Sequence, residues 1–74
     1  MKLDRLKVIN GRLAQGWTQE QAAEEAGVSR PTFKSAEKGE EILPPSAKKI
    51  ADALGLSLGE IMIPVTDTPE AANV

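Results

Sequence analysis

The chain has seventy-four residues, enough for one small domain with a modest core. It contains no cysteine and no histidine, which removes disulfides, thiolate chemistry, imidazole acid–base work and the usual zinc sites. The formal charge is −2 but unevenly laid: residues 1–39 carry seven Lys/Arg against five acids, a balance of +2, and residues 40–74 carry two against six, a balance of −4.

The opening MKLDRLKVINGRL has no uninterrupted apolar run, so neither a secretion signal nor a membrane span is expected, and the expected location is the cytoplasm. The spacing predicts a first helix from Leu3 or Asp4 to Ala14, with Leu6, Ile9 and Leu13 on one stripe and Val8 beside it. Gly11 lies inside that helix at a cost of about 1 kcal/mol relative to alanine, a cost that close approach of a neighbour would explain. A second helix opens at Thr18, whose hydroxyl can cap the amide of Gln21 while Gln21 reaches back. Gly27 supplies the positive φ that a tight helix exit commonly needs.

A third helix opens at Ser29 and closes before Gly39, with Pro31 in the first turn, where a missing N–H has no partner to lose. A fourth follows Pro44-Pro45, capped by Ser46 and ending at Gly55. A short fifth runs from Ser57 to about Met62 with Ser57 and Glu60 as a second capping box. From Pro64 the chain turns polar and proline-punctuated, so residues 1–63 read as the domain and 64–74 as a flexible tail. The expected core is Leu6, Val8 or Ile9, Leu13, Trp17, Ala22, Ala26, Val28, Phe33, Ala36, Ile50, Leu54, Leu56 and Ile61.

The segment Thr18 to Gly39 carries the functional signal. Two short helices meet across a tight turn, Ala23 is small enough to lie against the second of them, and that second helix turns Arg30, Lys34 and Lys38 outward. A packed helix pair that presents a basic helix to solvent suits the major groove of duplex DNA. The run Gly16, Trp17, Thr18, Gln19, Ala22, Ala23, Ala26, Gly27, Val28, Ser29, Thr32, Phe33, Glu37 and Gly39 resembles the helix-turn-helix of the lambda-repressor/Cro superfamily, also called the XRE family. The likeness continues through Ile50, Ala51, Leu54, Gly55, Leu56 and Ile61 and spans roughly residues 5–62. It implies an all-α, compact five-helix lambda-repressor-like domain with a central helix-turn-helix.

Geometry places the residues from Ser29 to Thr32, and Lys34 and Ser35 one turn later, nearest to base edges. Arg30 can donate two hydrogen bonds to guanine O6 and N7. Pro31, where relatives often carry a polar reader, offers only apolar contact such as a thymine methyl, and Lys38 is placed for the backbone. The resemblance further implies that Gln19 contacts a phosphate at the start of the second helix, and that Arg12 and Glu37 form a buried or half-buried bridge; the bland alternative leaves both solvated.

One departure stands out. Where relatives often carry a basic loop, this chain has Glu40-Glu41-Ile42-Leu43-Pro44-Pro45, whose acids repel phosphate. Ile42 and Leu43 could form an apolar contact surface or plug the core. Weaker binding by one copy makes a homodimer the expectation. Relatives dimerise through the C-terminal region, and here Leu58, Ile61, Met62, Ile63 and Val65 supply the apolar run.

The expected function is a transcription regulator, more specifically a repressor, binding double-stranded DNA without a cofactor. The alternative is an antitoxin-like module that neutralises a toxin partner through the acidic C-terminal half and tail, autoregulating its own operon. No nucleophile, base and orienting group assemble from these residues, so an enzyme is not expected.

Overall fold

The computed structural model describes residues 1–63; the expected tail, residues 64–74, lies outside the described residues. Five helices follow in chain order: α1 (Arg5–Gln15), α2 (Gln19–Ala26), α3 (Arg30–Glu37), α4 (Pro44–Ala53) and α5 (Leu58–Ile61). α2 packs against both α3 and α4, α1 lies against α3, and α5 against α4. The architecture is the all-α helix-turn-helix arrangement anticipated above.

Local chemistry sets most of the ends. Thr18 and Gln21 form the reciprocal box at the start of α2, and Ser57 and Glu60 the second one at α5. Gly27 closes α2 at φ +75°, donating its N–H to the carbonyls of Ala23 and Glu24. α4 departs from expectation: it begins at Pro44, and Ser46 lies inside it rather than capping it. Two prolines in the first turn have no N–H to satisfy and arrive with helical φ, so the cap position falls to Leu43 without a side-chain hydrogen bond.

α1 also starts later than the earliest reading. Asp4 is its cap, accepting the amides of Leu6 and Lys7 at 3.1 and 3.4 Å. Leu3 is therefore extended, and it is wholly buried. The segment holding it is paired on both sides. The Asp4 amide donates to the Ile61 carbonyl and the Ile63 amide to that of Lys2, while Met1 and Ile42 exchange hydrogen bonds at 2.9 Å in each direction.

Phe33, Leu3, Ile50, Ile61 and Val8 are the large side chains at the centre, and Ala22, Ala23, Ala26, Ala36, Ala47 and Ala51 let the helix backbones come close around them. Two expected core residues lie at the surface: Leu6 and Leu13 are 57% and 58% exposed. The face of α1 turned inward carries Val8, Gly11 and Arg12 instead, because Gly11 seats directly on Leu54, where an added Cβ would lie 3.3 Å from three Leu54 side-chain atoms. Ile9 is half-buried, as are Trp17, Val28 and Leu56, the last three packed against the core rather than inside it. Ile42 and Leu43 part company: the first is buried in the core and the second is 73% exposed.

Candidate nucleic-acid interface

α3 is held by its inner face and free on its outer one. Phe33, Ala36 and Glu37 are buried, while Arg30, Pro31, Lys34 and Lys38 are exposed and Thr32 and Ser35 half-buried. Arg30, Lys34 and Lys38 are spaced four residues apart, so their positive charges run in a line along the helix. Among the described residues no carboxylate forms an ion pair with any of the three. Three cations on one exposed helix face, unpaired among the described residues, attract an external anion.

Ser29 is committed to the turn. Its hydroxyl accepts the Thr32 amide at 3.3 Å and donates to the Thr32 hydroxyl at 2.8 Å, which fixes the entry to α3 and leaves Arg30 and Pro31 as the first side chains projecting from it. Pro31, Thr32 and Ser35 face a groove whose opposite wall is Glu41, Ile42, Leu43 and Ser46, at the turn into α4.

The other end of the interface is organised around a buried carboxylate. Glu37 accepts from Arg12 Nε at 2.5 Å, from Arg12 Nη2 at 3.4 Å and from Gln19 Nε2 at 2.7 Å. Arg12 Nη1 donates to the Trp17 carbonyl at 3.0 Å, so the α1–α2 turn is tied to the same cluster. The pair is desolvated, with side-chain exposures of 16% and 6%, and the extra donors satisfy the carboxylate. Gln19, for which the resemblance implies a phosphate contact, lends one amide hydrogen to Glu37, which sets its orientation and leaves the second hydrogen available. This link between Gln19 and Glu37 has no signal in the sequence beyond residue types able to bond.

The acidic loop is partly neutralised from within, since the amino group of Met1 pairs with the Glu41 carboxylate. Glu40 is exposed, without an ion pair among the described residues. Of the residues proposed for self-association, Ile61 is wholly buried in its own protomer and has no surface to offer, and Leu58 is half-buried. Met62 and Ile63 lie at the surface, 36% and 47% exposed. Val65 lies outside the described residues. No helix among the described residues is long and apolar enough to cross a membrane.

A family model described as helix-turn-helix matches residues 9–61, which takes in all of α2 to α5 and most of α1. No curated protein and no solved structure matches the chain. The chain belongs to the helix-turn-helix family of lambda-repressor/Cro (XRE) type, a family of DNA-binding transcription regulators.

Proposed function

We propose that this protein is a sequence-specific repressor that inserts α3 into the major groove of a symmetric operator as a pair of copies. The observation that carries the reading is the line of Arg30, Lys34 and Lys38, exposed and without ion pairs among the described residues, on a helix whose opposite face is locked into the core. Arg30, in the first turn, reads guanine; Pro31 offers apolar contact beside it; Lys34 and Ser35, one turn on, reach base edges; Lys38 holds the backbone. Gln19, oriented by Glu37, adds a phosphate contact from the start of α2.

Two copies are needed on energetic grounds, because one short helix reads too few base pairs for specific affinity and Glu40 works against the backbone. Occupying a promoter excludes polymerase without any further contact, which favours repression over activation. The antitoxin-like alternative rests largely on the tail, which lies outside the described residues, and no described feature favours it.

Selection of the purified protein against a random duplex pool at moderate salt tests the reading. An enriched palindrome with half-sites about 10 base pairs apart supports it. Failure to enrich any sequence, with the fold intact by Trp17 fluorescence, contradicts it.

A further inference from the structure

The groove beside α3 is walled by the most exposed large hydrophobic side chain among the described residues. Leu43 is 73% exposed, and it stands opposite Pro31 across a cleft of about 280 Å³. No slack in the backbone accounts for that exposure. Ile42, just before it, is buried, and its amide donates to the Met1 carbonyl at 2.9 Å. Pro44 and Pro45, just after it, form the first turn of α4 with φ fixed by their rings, and the Leu43 carbonyl accepts the Ala47 amide at 3.0 Å. A rigid segment thus holds a whole leucine side chain in water, against the hydrophobic effect, beside the helix that carries the cations.

The chemistry of the groove selects its occupant. The lining holds one carboxylate, Glu41, and no cation, so a phosphate is repelled there. The groove is continuous with the exposed face of α3, because Pro31 directly follows Arg30 and is exposed with it. Base edges in the major groove display hydrogen-bond donors and acceptors, which neither a proline nor a leucine side chain can read, and one apolar group, the C5-methyl of a pyrimidine.

The geometry points to Leu43 as a specificity-determining residue that acts from outside the helix-turn-helix: with Pro31 it clasps the methyl group of a thymine next to the guanine read by Arg30. This inference rests on the reading of α3 as the helix that enters the groove, and deepens it. Its consequence is a preference for a 5-methylated pyrimidine at one position of each half-site. Hydrogen-bonding residues of α3 cannot supply that preference, since thymine and uracil carry the same donors and acceptors.

Binding titrations of the full chain on a duplex enriched by selection test it, with each thymine of a half-site replaced in turn by deoxyuridine. The exchange removes one methyl and leaves the base pairing intact. One position, adjacent to the base pair at which Arg30→Ala relaxes preference, should lose about fourfold in affinity, the worth of one buried carbon. In Leu43→Ser that ratio should fall to near one while the preference for guanine survives. When a C·G pair is placed at the same position, methylating the cytosine at C5 should restore about fourfold in the wild type and nothing in Leu43→Ser. Indifference to every deoxyuridine exchange in a protein that binds its operator overturns the inference and leaves the DNA reading standing. So does a Leu43→Ser variant that keeps the full sensitivity, or one that weakens thymine and deoxyuridine duplexes equally. A chain that enriches no duplex overturns the DNA reading, and this inference falls with it.

Discussion

Arg12 and Glu37 meet at 2.5 Å across twenty-five positions of sequence, and the contact joins α1 to the end of α3. Its place, beneath the helix that carries the cations, makes it a brace for the interface. Glu37→Ala leaves the Arg12 guanidinium without its counter-charge in a desolvated site, so unfolding by urea should show a loss of about 3–5 kcal/mol. Arg12→Met combined with Glu37→Leu should recover most of that loss. A cost for Glu37→Ala inside the range of about 0–1 kcal/mol typical of exposed ion pairs would contradict the brace.

Arg30 and Lys38 should separate by the kind of loss they cause. Arg30→Ala is expected to cost about 1–3 kcal/mol of binding and relax preference at one base pair, whereas Lys38→Ala should weaken all sequences alike and shallow the salt dependence by about one unit. Binding isotherms on matched and single-mismatch duplexes at several salt concentrations distinguish them. Identical behaviour of the two variants would remove Arg30 from direct readout.

Glu40 is the residue whose replacement should improve binding. It is exposed and has no ion pair among the described residues, while its neighbour Glu41 is engaged by the Met1 amino group. Glu40→Lys removes a repulsion and adds a cation beside the backbone, so affinity should rise and the salt slope steepen by about one unit. An unchanged slope would mean that this loop lies away from the phosphates.

Glu60 ties α5 to pH. Its carboxylate accepts the Ser57 amide at 2.8 Å, and that bond, with help from the Ser57 hydroxyl and the nearby charge of Lys7, holds its pKa below the usual carboxylate value. A lowered folded pKa favours the charged form in the native state. The contribution is therefore full above the unfolded value of about 4.3 and is lost as pH falls through the lower folded value. Glu60→Gln keeps an acceptor for the Ser57 amide and cannot titrate, so its stability should fall less in acid than that of the wild type. A carboxyl titration of Glu60 by NMR at or above its ordinary value would overturn this.

The helix-turn-helix was legible because its determinants are local: Thr18 with Gln21, Gly27 at the exit, Ser29 and Pro31 at the next entry all act within four residues. The inward face of α1 was not. The stripe of Leu6, Ile9 and Leu13 is the more apolar, and pattern alone selects it. The seat of Gly11 on Leu54 and the Arg12–Glu37 contact rotate the helix the other way, and both depend on partners at least twenty-five residues distant. Leu3 escaped notice for the same reason, since its segment is extended by pairing with residues 42 and 61–63. At the interface, the exposure of Arg30, Lys34 and Lys38 followed from helical spacing, but the hold of Glu37 on Gln19 came only from the packing of α2 against α3.

The central claim is that α3 is the element that meets DNA, and amide chemical-shift mapping of isotopically labelled protein tests it most directly. On titration with a duplex enriched by selection, the amides of residues 29–38 and of Gln19 should show the largest changes, with those on the α1 stripe smaller. Shifts concentrated elsewhere, with residues 29–38 unmoved at saturation, would contradict the account.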